Sequence, residues 1–523
     1  MTVKRGFCIV TTILLQCQFA RGQSPFLKQF SLSANSGVAQ SLPPSNSISH
    51  ITTHITTQDT ELWIGTGKGL ARSIDGGRSW ESYRTVPQFV SPGIFAISVK
   101  GDSVWASTGF TQDLNGQSIP TGSGYAYSTN HGITWTHLPQ ALDGRGDSLV
   151  SYGANTVYFL PVIVPEQNVT YDLDATSSAI WIASWASGLR KSTDQGQTWQ
   201  RIVLPMMSLN SIAPTDSLVN YRINPVPSPE GDNFKAFSVF AETDSNIWAG
   251  TAGWLNKSTD GGMSWTKFNT LNQQSHILGN WVVAIRGQQF GSTHRLWCTN
   301  WVGDQTFDPN QQFGVSYSDD GGRIWKNFLQ GIKAYDFAFK DSITYVATDE
   351  GLYRTADAGL SWNRSGTIID LISGQRVIGS AFFAVGISGD TVYGGTGDGL
   401  ARTVDNNDHP FGQAWEVIRA YQPVGSTTST YAYPNPFSPA QSSCRVHYST
   451  GGTPASVTIE VFDFGMNRVR TIIKDAQRSG SQEHDEIWDG LDDGRNLVTN
   501  GVYFYRVILN NGDPFWGKVM VLQ

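Results

Sequence analysis

Charge is scarce in this chain: Asp, Glu, Lys and Arg make up 15% of 523 residues, and the formal net charge is −7. After the first few positions no run of Lys or Arg occurs. Nucleic acid needs a basic stripe to neutralise phosphates, and an anionic membrane surface needs the same, so the composition argues against both as partners. Cysteine is nearly absent, at four residues. Cys8 and Cys17 fall in the N-terminal leader read below. Cys298 and Cys444 fall in different predicted domains, so two free, buried thiols are expected rather than a disulfide framework. No apolar run reaches the ~20 residues of a transmembrane helix. His-Glu-x-x-His, paired cysteines at metal spacing and phosphate-binding glycine loops are all missing, and the nine His are scattered; no metal and no cofactor are expected. Asp489-Gly490-Leu491-Asp492-Asp493-Gly494 imitates part of a calcium loop but lacks the closing Glu, which leaves a turn.

Glycine and tryptophan are plentiful, at 55 and 18 residues. That profile suits an all-β protein whose sheets are filled by aromatics and whose turns use Gly. The N-terminus carries targeting chemistry. Lys4 and Arg5 precede a short apolar stretch, Gly6 to Leu15, and Ala20-Arg21-Gly22 offers small residues for cleavage before Gln23. This is the pattern of a secretory signal peptide. Leu14-Leu15-Gln16-Cys17 is a weaker alternative as a lipoprotein signal, because Gln precedes the Cys.

One octet organises the chain: Ser/Thr-x-Asp-x-Gly-x-Ser/Thr-Trp. It occurs as SIDGGRSW ending at Trp80, STNHGITW at Trp135, STDQGQTW at Trp199, STDGGMSW at Trp265, SDDGGRIW at Trp325 and TADAGLSW at Trp362. A degraded copy runs from Thr403 through Asp405 to Trp415. Before most copies stands a short aromatic strand, a Gly-rich turn and a second strand, as in Leu62-Trp63-Ile64-Gly65-Thr66 leading to Gly69-Leu70-Ala71-Arg72. The octet reads as a turn: its Asp accepts backbone N–H groups, its Gly takes a conformation that a Cβ disfavours, and its Trp enters the next strand. Structural roles follow for Asp75, Asn130, Asp194, Asp260, Asp320, Asp357 and Asp405.

The octet resembles the Asp-box, or bacterial neuraminidase repeat, carried by sialidases, xyloglucanases, sortilin-type receptors and a photosystem II assembly factor. In those families it marks the turn between the third and fourth strands of a propeller blade. The resemblance implies a seven-bladed β-propeller over residues 48–424, after a leader at 1–22 and a segment at 23–47. A Gly/Ser/Thr linker at 425–430 then leads to a small domain at 431–523. Pro434-Asn435-Pro436-Phe437, Phe462-Asp463-Phe464-Gly465, Trp488-Asp489-Gly490, Gly501-Val502-Tyr503 and a final strand led by Lys518 make that domain similar to the immunoglobulin-like domain of the flagellar hook-cap protein. They also make it similar to the C-terminal sorting domains of type IX secretion. The resemblance implies export through secretion machinery and attachment at a bacterial outer surface.

Three second-to-third strand turns carry Trp, at Trp185, Trp254 and Trp301, and the longest links, 137–178, 200–244 and 266–294, lead into the same blades. Exposed aromatics on a rigid rim suit stacking on sugar rings or gripping a protein loop, so these three are the expected ligand contacts. The expected function is secreted or cell-surface binding of a glycan or an extracellular protein. Glycoside hydrolysis of sialidase or xyloglucanase type is an alternative, as is an assembly or scaffold role. Sialidase chemistry lacks its Arg-Ile-Pro segment: Tyr221-Arg222-Ile223-Asn224-Pro225 has Asn inserted. Carboxylates for a two-acid hydrolase would come from Asp143, Asp147, Asp172, Asp174, Glu230 and Asp232 in the long links, without a diagnostic neighbour. No catalytic residue is assigned.

Overall fold

The computed structural model describes residues 43–522, apart from 56–59, 92, 115–116, 225–228, 421–429, 441–442, 451–452 and 481–482. The leader and most of the linker lie outside the described residues. Those described are all-β: no α-helix occurs among them, only a 3-10 turn at Pro229–Phe234. Among the described residues no helix is long and apolar enough to cross a membrane.

Up to Ile418 the chain repeats one unit, a four-stranded antiparallel meander hydrogen-bonded in chain order. The innermost strands are Ile48–Ile55, Gly93–Lys100, Thr170–Ala175, Ala236–Ala241, Ile285–Phe290, Ala334–Lys340 and Phe382–Ser388. Each packs on the next, and the last packs on the first, which closes a β-propeller around a central channel. Sheets covered on both faces need no polar alternation. Accordingly the second strands Ile180–Ser184 and Ile247–Thr251 are buried along their whole length.

The octets occupy the turn from third to fourth strand and form a closed hydrogen-bond circuit. In the fourth copy Ser258 Oγ donates to Asp260 (2.8 Å) and accepts the Gly262 N–H (2.8 Å). Asp260 accepts the N–H groups of Met263 (3.0 Å) and Ser264 (2.8 Å), and the Trp265 indole donates back to the Gly262 carbonyl (3.1 Å). Asp75, Asn130, Asp194, Asp320 and Asp357 accept their own turn's N–H groups in the same way. Asp405 departs from the expectation. Nine residues separate it from its Trp, against four in a complete octet, and its buried carboxylate accepts instead from Tyr345 and Arg354 of the preceding repeat.

The long links are not plain loops. Leu149–Tyr152, Asn155–Phe159 and Arg222–Ile223 form a separate three-stranded sheet, and Ser211–Ile212 adds a fifth strand beside Trp265–Phe268. Beyond Thr430 a three-stranded and a four-stranded sheet share one apolar core that includes Val446, Val457, Ile459, Trp488 and Val507. There Asp489 accepts the Leu491 N–H (3.0 Å) and Asp492 the Asn496 N–H (2.7 Å), the expected turn. Cys298 and Cys444 are free and buried, one in each core, and burial raises both thiols well above their usual range.

Removing the circuit's central acceptor strands several turn donors, so Asp260→Ala is expected to cost about 1–3 kcal/mol in urea unfolding. The hydrogen bonds of Asp194 and Asp357 hold their carboxyls down to about 2, from an ordinary 3.8. Their contribution is present above that ordinary value and is lost as pH falls toward 2. Asp194→Asn and Asp357→Asn should therefore flatten the acid limb of the stability curve; an unchanged limb in the double variant would refute the turn assignment.

Candidate functional site

An antiparallel meander fixes the two rims. The third-to-fourth turns share a side with the first-to-second turns, and the opposite rim collects the starts of the inner strands, the second-to-third turns and the links. At that rim most inner strands begin with a register shift, at Ile94/Ala96, Thr170/Asp172, Ala236/Ser238, Ala334/Asp336 and Phe382/Ala384. A bulge sets one residue out of the ladder and re-aims it. In each of these five the residue is aromatic: Phe95, Tyr171, Phe237, Tyr335 and Phe383.

These rings touch in series. Phe95 meets Tyr171 (centroids 6.4 Å apart), Tyr171 meets Phe237 (6.4 Å), and Phe237 meets Trp281 (5.2 Å). Further round, Trp301 meets Tyr335 (5.5 Å) and Tyr335 meets Phe383 (5.6 Å). The result is an aromatic collar at the end of the channel away from the octets. Tyr171, Tyr335 and Phe383 are half-buried, and burial raises the Tyr171 and Tyr335 phenols above their usual range.

The three expected tryptophans fare differently. Trp185 joins the collar half-buried, stacked on Phe237 at 5.3 Å, with the Lys235 ammonium 5.2 Å over its ring. Trp301 belongs to the collar but is 2% exposed and donates its indole N–H to the Ala334 carbonyl (2.6 Å). Trp254 is 1% exposed and packs with Met207, Leu255 and Ile277 below the collar. The expectation of three exposed indoles is therefore corrected: Met207 and Ile277 pack on Trp254, and Trp281 and Phe313 on Trp301, so that side chains of the links bury two of the three. Trp254 also occupies a slot that elsewhere belongs to a left-handed glycine, such as Gly69 or Gly188, and holds φ +80 there.

Below the collar the channel has a volume of about 520 Å³ and gathers Lys100, Asp172, Asp174, Arg286 and Asp336 from four of its inner strands. Arg286 stands 3.5 Å from Asp172 and 3.3 Å from Asp336, and Lys100 is 3.0 Å from Asp174. The carboxylates also bind the seams between repeats: Asp172 accepts the Val239 N–H (3.1 Å) and Asp174 the Ala241 N–H (2.9 Å). Carboxylates exceed cations by one in this cluster. Burial, opposed by Arg286 and reinforced by Asp174 and Asp336, pushes the Asp172 carboxyl up to about 6. Burial alone would lower the Arg286 guanidinium, but Asp336 and Asp172 hold it above its usual range.

Asp172 and Asp174 thus lie on an inner strand, not in a link as the sequence suggested. The remaining candidate carboxylates hold loops. Asp143 pairs with buried Arg190 (2.9 Å), Asp147 accepts the Gly144 N–H (2.8 Å), Glu230 accepts the Ser208 N–H (3.1 Å), and Asp232 pairs with Lys235 (2.6 Å). Sequence reading missed the collar and Arg286–Asp336. A signal for the collar exists: Phe95, Tyr171, Tyr335 and Phe383 each stand ten residues before the aromatic of the following strand, Trp105, Trp181, Tyr345 and Tyr393.

Arg286 keeps 39% of its side chain open to the channel, so its ion pairs are partly screened. Arg286→Met is expected to cost about 1–3 kcal/mol at pH 7, less than the loss of one partner from a dry pair. The raised Asp172 carboxyl contributes stability at low pH that is lost as pH rises from about 4 through about 6. The Arg286→Met penalty should therefore shrink at pH 5, where Asp172 is protonated. Equal penalties in urea unfolding at the two pH values would contradict the cluster.

Comparison with known proteins gives one family match, the BNR/Asp-box repeat, over residues 126–137. No curated protein matches. Among solved structures, YCF48 bound to D1 peptide is similar at 15% identity, covering 72% of this chain and 98% of that one, with a TM-score of 0.41. The Niastella koreensis GH74 enzyme is similar at 14% identity, over 95% of this chain and 75% of the other, with a TM-score of 0.49. PorZ of Porphyromonas gingivalis, a bacterial surface component of the type-IX secretion system, is similar at 13% identity over 90% and 65%, with a TM-score of 0.31. The chain is a β-propeller protein carrying BNR/Asp-box repeats.

Proposed function

We propose that this chain is a secreted or cell-surface binding protein: a seven-bladed propeller over residues 48–424 that holds a glycan or an extracellular protein at its collar rim. The small domain at 431–523 is read as an immunoglobulin-like module serving export or attachment at a bacterial surface, with residues 1–22 as the signal peptide. The observation that supports the binding reading is the aromatic collar, ring against ring around a channel mouth, with Trp185, Tyr171, Tyr335 and Phe383 only half-buried. Aromatic faces give contact area with little rotamer entropy to lose, which suits sugar rings and protein loops alike.

A second reading, glycoside hydrolysis, draws on one observation: a carboxyl raised to about 6 at Asp172, sharing Arg286 with Asp336. Paired carboxyls with different proton affinities are what such hydrolases use.

A glycan array, with parallel xyloglucan and sialoside hydrolysis assays on the purified chain, separates the two. Binding without product release is expected. Trp185→Ala and Tyr335→Ala should each weaken the ligand found by about tenfold, the worth of one stacking contact, while the Tm moves little. Unchanged affinity in both variants would remove the collar from the site, and product release lost in Asp172→Asn would replace binding by catalysis.

A further inference from the structure

The octet rim carries a second pattern. In every repeat the second strand bears an aromatic residue whose cross-strand partner on the third strand is long and usually cationic: Trp63 with Arg72, Trp181 with Lys191, Trp248 with Lys257, Tyr345 with Arg354 and Tyr393 with Arg402. At Trp63, Trp181 and Trp248 the cation lies over the ring; Lys191, Lys257, Arg354 and Arg402 reach the next octet, whereas Arg72 is held by Glu61 of its own sheet. Lys191 Nζ is 5.1 Å from the Trp181 centroid and donates to the Gly261 carbonyl (3.0 Å). Lys257 Nζ is 4.7 Å from Trp248 and donates to the Gly321 carbonyl (3.2 Å). Arg402 donates across the closing seam to the Gly76 carbonyl, and Arg354 reaches Asp405. The accepting carbonyls of Gly76, Gly261 and Gly321 all belong to the octet's fourth residue. At Lys191 and Lys257 the pattern is complete: a cation clipped between an aromatic face and the fourth carbonyl of the neighbouring octet.

Two repeats put Tyr where the cation stands. At Trp297–Tyr317 the vacancy is filled from within, since the Arg295 guanidinium lies 3.9 Å over the Tyr317 ring and Lys326 Nζ 5.3 Å from it. At Trp105–Tyr127 no cation fills it among the described residues. Tyr127 stacks flat on Trp105 (4.5 Å, 11°), and its hydroxyl makes no hydrogen bond among the described residues. The fourth residue of the next octet, Gln195, takes φ +58, and its carbonyl receives no donor among the described residues. A cleft of about 750 Å³ opens there, lined by both rings, Gln195 and the turn bearing Asp244. Its charge is negative. Lys100 is engaged by Asp174 (3.0 Å), and Glu242 is shared with Asn246 and the field of Lys257. Asp244, fixed by the Ser177 hydroxyl (3.0 Å) and the Ser178 N–H (3.3 Å), pairs with no cation among the described residues.

We propose that this cleft binds the side chain of a lysine or arginine presented by a peptide or protein segment. The cation takes the place that Lys191 and Lys257 hold in the following repeats, between the Trp105–Tyr127 stack and the Gln195 carbonyl, with Asp244 as counter-charge. The methylene stem of such a side chain covers an aromatic face as the stems of Lys191 and Lys257 do, and the cleft exceeds the volume of one side chain, leaving room for flanking backbone. The site lies on the rim opposite the collar and stands independently of the function proposed there.

The test titrates the full chain with acetyl-Gly-Lys-Gly-amide, its Arg and Gln counterparts and glucosamine, followed by calorimetry and ligand-observed NMR. The Lys and Arg peptides are expected to bind and the Gln peptide to bind at least about tenfold more weakly, the worth of a cation over a desolvated ring. Tyr127→Lys restores the internal clip, so it should abolish peptide binding while holding or raising the Tm. Asp244→Asn should weaken the Lys peptide about tenfold. Equal binding of the Gln peptide, full binding by Tyr127→Lys, preference for glucosamine over both cationic peptides, or no binding by the unmodified chain would each overturn the proposal.

Discussion

Everything up to Ile418 depends on one seam, where the first sheet meets the last. The first and the last sheet are each built from four consecutive strands, so no strand is exchanged across the closure, and no disulfide locks it among the described residues. Contact between faces must hold the ring. Ile48, Ile51 and Ile64 pack against Ala384, Tyr393 and Leu400 in one cluster. The approach is so close that a β-carbon on Gly386 would meet the Ile51 side chain at 2.4 Å, and one on Gly395 would meet the Ile48 carbonyl at 2.7 Å. Arg402 and Tyr393 both donate to the Gly76 carbonyl, and Asn46 accepts the Ala420 N–H (2.7 Å), so polar bonds flank the apolar contact. An open ring would lose the channel, and with it the shared arrangement of collar and carboxylates.

The fold was legible because its most regular feature is local. An Asp, a Gly and a hydroxyl residue spaced as in Ser258–Trp265 can satisfy one another within a single turn, so the octet announces its own geometry without reference to distant residues. Strand order then assigned the rims correctly. What failed was whatever depended on a partner far along the chain. Asp405 looked like another octet acid, yet an insertion left its own turn unable to use it, and Arg354, 51 residues earlier, claimed it. Trp254 and Trp301 were placed on the correct rim, but whether an indole there meets solvent depends on how the links fold over it, which no local pattern encodes.

The channel illustrates the same limit from the electrostatic side. Asp172, Arg286 and Asp336 come from three different sheets, and each alone is an unremarkable polar residue on a strand. Closure brings them within ion-pair distance in a confined space, and only then does the Asp172 carboxyl depart from its ordinary behaviour. Collar and cluster are thus products of the same constraint: radial stacking that converges the inner strands on one axis, aromatic at one end and charged along its length.

The two cysteines provide a readout that the architecture itself supplies. Cys298 is sealed between Leu255, Leu296 and Trp325, and Cys444 between Val446, Trp488 and the other residues of the smaller core. Both are inert to alkylating reagents while their surroundings stay closed. Each unit therefore carries a single built-in thiol clock. The rate at which a reagent labels one or the other reports how often its surroundings breathe open, separately for the ring of sheets and for the smaller core and without an added probe.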